Sequence, residues 1–364
     1  MNLSLVGPFT PHTSYGIVLN NLAHELSLLS PVKLRDINGN PAFDTKIEKH
    51  HDLYEKFDPS GSDVEIVVFH QGMTHQYFSD VANYKVAFPI FELDKFTNGE
   101  LEDLARADHI LVCSEWAKRI VLSHLPDMPV SVVPLGYDPD IVKFNPDPMS
   151  FSNKTIFLNV GKWETRKLHD NLANLFRAAF SPTDNVHLLM APYNFFIGEQ
   201  ENERLKGQYR EILGDQVSFL SRIDSHVDFT PIYQMIDVYF GCSRAEGWNL
   251  PLFEAMVAGK RVITNNYAGH TQFVSRENSL LINPNRTSLA DDGFWFRNGQ
   301  GVNAQWMEYG QDEFDQIVAS LRWCHSERQL NGARNHRDVH DSVSFMTWEN
   351  SARTILEVLQ NAGL

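Results

Sequence analysis

Cysteine is scarce in this chain of 364 residues, which contains three: Cys113, Cys242 and Cys324. They lie far apart in the sequence, each within an apolar stretch, and no two have the spacing of zinc ligands. Disulfides are rare in reducing compartments, where thiols stay reduced. The pattern excludes a disulfide-stabilised secreted scaffold, and we expect a cytoplasmic protein.

Long apolar runs are also absent. A membrane-spanning helix needs about 20 consecutive, mostly apolar residues, and no stretch of the chain approaches that length. The opening Met-Asn-Leu-Ser-Leu-Val-Gly lacks the basic flank and the long apolar core of a signal peptide. We therefore expect no transmembrane segment.

Positive charge is in deficit, since 31 Lys and Arg residues stand against 46 Asp and Glu, a formal net charge of −15. The deficit is largest in residues 1–150, which hold 11 basic and 21 acidic side chains. Proteins attract phosphate-rich partners through Lys and Arg. We expect no nucleic-acid partner, and peripheral contact with an anionic membrane is not favoured.

Short apolar segments alternate with segments of helical periodicity along most of the chain. Strands are predicted over residues 2–6, 64–69, 86–91, 110–113, 130–134, 155–160, 186–190, 217–220, 238–242 and 261–264. Helices are predicted over residues 15–29, 115–124, 170–180, 203–213, 230–235, 251–258, 314–324 and 348–359. Ser114 is the predicted N-cap of the second helix. Continuous apolar strands separated by helices predict parallel sheets with both faces covered.

A segment rich in Pro, Asp and Asn, residues 137–152, divides this alternation and predicts a linker. The chain is thus expected to form two α/β domains with doubly wound parallel sheets facing a cleft. The first covers residues 1–145 with a returning helix over 345–362, and the second covers 153–344. Residues 286–312 are predicted to be irregular. In such sheets ligands bind outside the carboxyl ends of the strands.

The segment Glu246-Gly-Trp-Asn-Leu-Pro-Leu-Phe-Glu254 follows a predicted strand and enters a predicted helix. Unpaired backbone N–H groups at a helix start, with the helix dipole, favour an anion such as a diphosphate. Glu254 can accept hydrogen bonds from the two hydroxyls of a ribose, and Glu246 can contact a sugar. The spacing alone also fits a favourable first-turn acid at Glu254 and a solvated loop residue at Glu246.

This segment resembles the Glu-x7-Glu motif of retaining glycosyltransferases with the two-domain, Rossmann-like GT-B fold, specifically glycosyltransferase family four, the group 1 glycosyltransferases. Four further segments resemble motifs of that family in the family's order. They are Ala-Asp-His-Ile-Leu-Val-Cys-Ser at 107–114, Val-Pro-Leu-Gly-Tyr-Asp at 133–138, Val-Gly-Lys-Trp-Glu-Thr-Arg-Lys at 160–167, and Ala-Gly-Lys-Arg-Val-Ile at 258–263. The resemblance is good over about residues 85–280 and weak in the flanks.

The resemblance implies roles for individual residues. Arg166 and Lys167 match the Arg and Lys that hold the donor pyrophosphate in the family, although in isolation they also fit a solvated basic turn. The donor-binding positions of the Glu-x7-Glu motif are Glu246, Gly247, Trp248, Asn249, Leu250 and Glu254. Because the family's usual Glu-Gly-Phe-Gly reads Glu-Gly-Trp-Asn here, the identity of the sugar does not transfer, and the base stays open between uracil and guanine.

Three candidates lie in the first half of the chain. Gly16 takes the place of the family's glycine-rich loop and is a candidate contact of the donor phosphate. His70 and Glu92 each end a predicted strand, and either can occupy the position of the family's catalytic His, which contacts the donor sugar. His70 also fits a structural histidine.

No metal or cofactor is expected. The pattern Asp138-Pro139-Asp140 matches a metal-binding DxD but lies in the Pro-rich linker, where Asp and Pro form turns. The His pairs at 50–51 and at 336 and 340 lack the remaining ligands of a metal site.

The sequence thus predicts a metal-independent glycosyltransferase that moves a sugar from a UDP- or GDP-linked donor to a hydroxyl of a glycan or glycoconjugate. The second domain would bind the nucleotide and the acidic first domain would shape the acceptor site. The catalytic candidates are Glu246, Arg166, Lys167, Glu92 and His70. A sugar-nucleotide-binding protein without transfer activity and a DNA-modifying glycosyltransferase are the alternatives, and the oligomeric state is open.

Overall fold

The computed structural model describes residues 2–11, 13–148 and 153–364. The chain divides into two compact units. Unit one comprises Met1–Ile141, Asp224–Phe229 and Phe345–Leu364, and unit two comprises Val142–Ile223 and Thr230–Ser344. The predicted linker overlaps the change of unit at Val142, and its residues 149–152 lie outside the described residues.

The strands fall into two six-stranded sheets and one short pair. They are β1 Leu3–Gly7, β2 Val32–Asp36, β3 Val64–Phe69, β4 Tyr84–Pro89, β5 His109–Val112, β6 Val130–Val132, β7 Thr155–Val160, β8 Val186–Ala191, β9 Val217–Phe219, β10 Val238–Phe240, β11 Arg261–Asn265, β12 Leu280–Ile282, β13 Thr287–Leu289 and β14 Gln305–Met307. The α-helices are α1 Ser14–Leu29, α2 Asn98–Leu104, α3 Glu115–His124, α4 Leu172–Ala179, α5 Gly198–Leu213, α6 His226–Phe229, α7 Leu250–Val257, α8 Gln311–Asn331, α9 Arg337–Asp341 and α10 Trp348–Asn361. None of the helices in the described part of the chain has the length and apolar character that crossing a bilayer requires.

The sheet of unit one has the order β2-β1-β3-β4-β5-β6, and all its pairs are parallel. Its central strands are mostly apolar and mostly buried, as in a sheet covered on both faces. The last helix, α10, packs against α1, and Ser351 Oγ donates a hydrogen bond of 2.7 Å to the Pro134 carbonyl. The C-terminal helix therefore completes unit one.

The sheet of unit two has the order β12-β11-β10-β7-β8-β9, again with parallel pairs throughout. One hydrophobic cluster of its core combines buried side chains of α4, α5 and α8 with those of the strands. Two sheets of this kind confirm the predicted α/β class with doubly wound parallel sheets.

Several predicted elements differ from the structure. The strand predicted over 86–91 ends at Pro89, and the helix predicted over 230–235 is a 3-10 helix. The prediction that residues 286–312 are irregular is wrong in part, because β13 and β14 pair antiparallel there and α8 already begins at Gln311. Strand β2 escaped prediction because only Val32 and Leu34 of its five residues are buried and apolar. The predicted cap is confirmed, since Ser114 Oγ accepts a hydrogen bond from the Ala117 N–H.

Candidate active site

The candidate residues of unit two lie where its strand order reverses. From β7 the chain proceeds to β8 and β9 on one side, and it then returns to β10, the neighbour of β7 on the other side. Loops leaving the carboxyl ends of two such strands diverge and leave a crevice that binds ligands in doubly wound sheets. The loop after β7 carries Lys162, Glu164, Arg166 and Lys167, and the loop after β10 carries Glu246.

An ion-pair network joins these two loops. Lys167 Nζ donates a hydrogen bond to Glu246 Oε1 at 2.5 Å, and Arg166 Nη1 lies 3.0 Å from Glu246 Oε2. Arg166 Nη2 donates to Glu164 Oε2 at 2.8 Å, and Lys162 Nζ lies 2.9 Å from Glu164 Oε1. The network thus holds three cations against two carboxylates, an excess of one positive charge at the switch point.

The network keeps Glu246 ionised. Burial would raise the pKa of this carboxyl, but Lys167 and Arg166 oppose that effect and hold the pKa at about 2. Burial would also raise the pKa of Glu164, but Arg166 and Lys162 oppose that effect and lower the pKa. Both carboxylates are therefore charged near neutral pH, and neither is available as a proton donor.

The three cations differ in their exposure. The Arg166 side chain is only 7% exposed, and its Nη1 also donates to the Ala245 carbonyl at 2.7 Å, so Arg166 ties the two loops together. Lys167 is 13% exposed, whereas Lys162 is 39% exposed and lies over the rings of Phe196 and Trp295. Sequence reasoning missed Lys162 and Glu164, although both lie inside the segment that it singled out.

A neutral histidine supports the loop after β7. His169 Nδ1 accepts a hydrogen bond from the Glu164 N–H, and Nε2 lies 2.9 Å from Asn159 Oδ1, to which it donates in this tautomer. Burial, with Lys167 close by, lowers the pKa of His169 to about 3, so the ring stays neutral. Asn159 in turn donates from Nδ2 to the Phe240 carbonyl on β10. Glu164 is thereby fixed relative to both strands.

The residue before helix α7 has an unusual backbone conformation. Asn249 precedes it with a φ of 74°, in the left-handed region that glycine and asparagine tolerate best. Both polar atoms of its amide are buried without a hydrogen-bond partner among the residues that the structure describes, and the indole N–H of Trp248 is in the same situation. Unpaired buried polar groups beside a strained backbone are typical of ligand-binding positions. Gly247 and Leu250 flank this point in the chain.

Glu254 lies in the second turn of α7 and is 5% exposed. Its Oε2 accepts a hydrogen bond of 2.9 Å from the hydroxyl of Tyr233, which is fully buried in the 3-10 helix Thr230–Met235. Burial, together with the charge of Glu254, raises the pKa of Tyr233 well above its ordinary value, so this hydroxyl remains a donor. The interpretation of Glu246 as a solvated loop residue does not apply, because Glu246 is 5% exposed, and Glu254 lies beyond the first turn of the helix.

The remaining candidates belong to unit one. The Gly16 N–H already donates to Thr13 Oγ1, and a Cβ on Gly16 would stand 1.5 Å from the Thr10 carbonyl, so packing alone requires glycine there. His70 directly follows β3, as predicted. Glu92 does not end its strand, because β4 stops three residues earlier at Pro89.

The DxD pattern forms a turn. Asp138 Oδ1 accepts a hydrogen bond from the Asp140 N–H at 3.0 Å, and its Oδ2 pairs with Lys49 at 2.5 Å. The interpretation of this pattern as a turn is confirmed by these contacts. Over the described residues, no group of three or more His, Cys, Asp or Glu side chains is arranged to hold a metal ion.

The sequence and the fold were compared with those of known proteins. Residues 143–312 match the family model described as "Glycosyl transferases group 1". No curated protein matches the sequence. Similar solved structures include a sucrose-phosphate synthase from Thermosynechococcus elongatus (15% identity, 100% of this chain and 99% of the other, TM-score 0.69) and the lipopolysaccharide galactosyltransferase WaaB (15%, 100% and 100%, TM-score 0.65). A third is Anabaena HepE in complex with UDP and glucose (14%, 99% and 100%, TM-score 0.67).

The fold and the family match define a GT-B glycosyltransferase. The segment that matches the group 1 glycosyltransferases, residues 143–312, contains the whole ion-pair network and the Glu-x7-Glu motif.

Proposed function

We propose that the protein is a retaining glycosyltransferase that takes a hexose from a nucleoside diphosphate sugar, linked to UDP or GDP. The observation that carries the proposal is the cationic network beside the start of α7, at the switch point of the sheet. Arg and Lys beside a helix start stabilise the charge that develops on a leaving diphosphate. The similar Anabaena protein HepE binds UDP and glucose, which supports the same class of donor here.

The proposed roles are divided over the network. Lys167 and Lys162, with the N–H groups of Asn249 and Leu250, bind the diphosphate, while Arg166 fixes the loop geometry. Glu254 binds the ribose and Glu246 the sugar. Glu246 is paired with Lys167 and Arg166, and Glu254 accepts from Tyr233, so we assign the acceptor's proton to an oxygen of the leaving phosphate. The acceptor then attacks from the face that the phosphate leaves, and the anomeric configuration is retained.

The enzyme is proposed to work without a metal. Three cationic side chains in the site can supply the charge that a divalent ion supplies in metal-dependent enzymes. Chelation with EDTA is therefore expected to leave the rate of transfer unchanged. Loss of activity that Mn²⁺ or Mg²⁺ restores would contradict this proposal. We also propose a cytoplasmic location, which the three free, buried cysteines support.

The acceptor is proposed to be a neutral glycan or glycoconjugate. Four exposed rings, Phe195, Phe196, Phe294 and Trp295, form an aromatic surface in which each ring is 43–54% exposed. Lys162 lies over two of these rings and also pairs with Glu164, so the surface adjoins the network. Exposed apolar patches of this kind mark binding sites, and the flat C–H face of a sugar ring fits an aromatic ring.

A thermal-shift screen of UDP- and GDP-sugars, followed by NMR of the product's anomeric proton, tests the donor and the stereochemistry. A glycan array tests the acceptor: Trp295→Ala should lose glycan binding, whereas Trp323→Ala, which is equally exposed on α8, should keep it. Inversion of configuration would overturn the retaining mechanism. Binding of a sugar nucleotide without transfer to any glycan would favour a binding protein.

A further inference from the structure

A cavity lies at the amino-terminal ends of the strands of the unit-two sheet, whereas the loops of the candidate active site follow the carboxyl-terminal ends. It is bounded by the first residues of β10 and β11, by the C-terminal half of α8 and by the segment that follows α8. It is partly open to solvent, and its charged or aromatic lining includes Arg261, Trp323, Glu327, Arg328, Arg334 and His336. Because all strands of this sheet run in the same direction, the cavity lies at the other end of the strands from the loops that carry Lys167 and Glu246.

The carboxylate of Asp237, which lines the cavity, already has two hydrogen-bond donors. Asp237 Oδ1 accepts a hydrogen bond of 2.8 Å from Arg328 Nε, and its Oδ2 accepts one of 2.9 Å from the Ile156 N–H. Glu327 Oε1 accepts a hydrogen bond from the Asn331 side chain. Among the described residues, neither of these two lining carboxylates pairs with Arg261 or Arg334.

Arg261 is the least satisfied of these cations. Its Nε is buried and has no hydrogen-bond partner among the described residues, and its Nη1 approaches Asp338 only to 3.9 Å. The Asp338 side chain is 64% exposed, so this pair is screened by water. The guanidinium lies over Trp323 at 5.8 Å from the ring centre, which holds it toward the cavity wall.

Further positive charge surrounds Arg261. Lys260 is 1% exposed, and its Nζ donates to Asn335 Oδ1 at 2.5 Å. Burial lowers the pKa of Lys260 to about 8, and the nearby Asp237 carboxylate opposes that effect. Arg334 lines the cavity with an exposed side chain. Burial and the charges of Arg261, Arg334 and Lys260, opposed by Asp338, lower the pKa of His336 to about 4. The lining holds three arginines against the two carboxylates of Asp237 and Glu327, an excess of one positive charge in a chain that carries −15.

We propose that this cavity is a second ligand site, which binds a small dianion such as the phosphate group of a metabolite through Arg261 and Arg334. Guanidinium groups form paired, charge-assisted hydrogen bonds with phosphate oxygens. A dianion would give the buried Nε of Arg261 an acceptor that the described residues do not provide. The exposed face of Trp323 offers a flat apolar wall for the part of the ligand that carries the phosphate.

Isothermal titration with inorganic phosphate and with pyrophosphate tests the proposal on the full chain. Arg334→Glu and, separately, Arg261→Gln should each weaken one saturable binding event at least tenfold. Arg353→Glu, an equal charge change on the exposed face of α10, should leave that event unchanged. Lys167→Ala should also leave it unchanged, because it alters only the proposed donor site.

The two sites are thus distinguished by their variants. Absence of phosphate and pyrophosphate binding to the wild-type protein would overturn the proposal. Equal affinity in Arg334→Glu and Arg261→Gln would overturn it as well, provided that circular dichroism shows both variants folded. Loss of all binding in Lys167→Ala would assign the anion to the proposed donor site instead.

Discussion

Lys167 Nζ lies 2.5 Å from Glu246 Oε1, so the cation predicted to hold the donor diphosphate is paired with the carboxylate predicted to contact the donor sugar. A diphosphate that reaches Lys167 must therefore compete with Glu246 or share the ammonium with it. Because Arg166 also binds Glu246, the carboxylate sets how much positive charge the site offers.

Neutralising this carboxylate should separate nucleotide binding from transfer. In Glu246→Gln, Lys167 and Arg166 lose their anionic partner, and we expect UDP or GDP alone to bind several-fold more tightly, since buried charges interact strongly. Turnover should fall at least tenfold because the sugar contact loses its charge. Calorimetry of the nucleotide and initial rates measure the two effects. Glu203→Gln on the exposed face of α5 is the matched control, and weaker nucleotide binding in Glu246→Gln would contradict the competition.

The same pair predicts how stability depends on pH. Folding lowers the pKa of Glu246 from 4.5 to about 2. The unfolded chain therefore binds this proton more readily, and the stabilisation is complete above about pH 4.5 and is lost as the pH falls toward 2. Its size is on the order of 3 kcal/mol. Urea unfolding of the wild type and Glu246→Gln should show a difference in unfolding free energy that shrinks through this window. A constant difference would contradict the lowered pKa.

The order of elements around the site was predictable from the sequence. Continuous apolar strands such as 64–69 and 155–160 appear at those bounds in the structure, since a strand buried on both faces has a strong one-dimensional signal. The switch point follows from the strand order, and the loops that carry the candidates were placed after the correct strands. The α/β class and the position of the donor motif could therefore be inferred without coordinates.

The partners inside the site could not be predicted in this way. Tyr233 meets Glu254, and Lys162 meets Glu164, through contacts that depend on how loops pack, and periodicity carries no information on them. Backbone strain is also hidden. Leu168 is fully buried with a φ of 63°, a backbone conformation that leucine rarely adopts, and the packing of its side chain overrides that preference.

Replacing Asn249 tests whether its strained backbone and unpartnered amide are retained for donor binding. In Asn249→Gly the left-handed backbone is relaxed and two unpartnered buried polar atoms disappear, so we expect the free energy of unfolding to rise by about 1 kcal/mol. If the amide serves the donor, transfer should slow although the protein is more stable. Urea titration and donor kinetics measured on the same preparations check both expectations. A less stable variant would show that the amide is satisfied in the folded protein.

Glu254 is expected to determine nucleotide affinity. Glu254→Ala removes a charged acceptor for the ribose hydroxyls, and charge-assisted hydrogen bonds are worth about 1.5–3 kcal/mol, so affinity should fall about ten- to a hundredfold. Tyr233→Phe keeps the carboxylate but removes the donor that orients it, so a smaller loss is expected. Calorimetric titration with UDP and GDP measures both. An unchanged dissociation constant in Glu254→Ala would remove this residue from the donor site.

Because Arg166, Lys167 and Lys162 differ in exposure, we expect their replacement to affect stability and turnover to different degrees. Arg166→Ala leaves Glu164 and Glu246 buried with one cation fewer, and breaking a buried pair costs on the order of 3 kcal/mol, so this variant should be destabilised. Lys162→Ala removes a side chain that is 39% exposed, so its stability should stay within about 0.5 kcal/mol of the wild type while turnover falls. Lys167→Ala should lower turnover on the order of a hundredfold, as the loss of one electrostatic stabiliser does. Thermal unfolding and rates at saturating donor separate the two effects. Full activity in both lysine variants would mean that other residues stabilise the diphosphate. A stable but inactive Arg166→Ala would indicate that Arg166 itself contacts the phosphate.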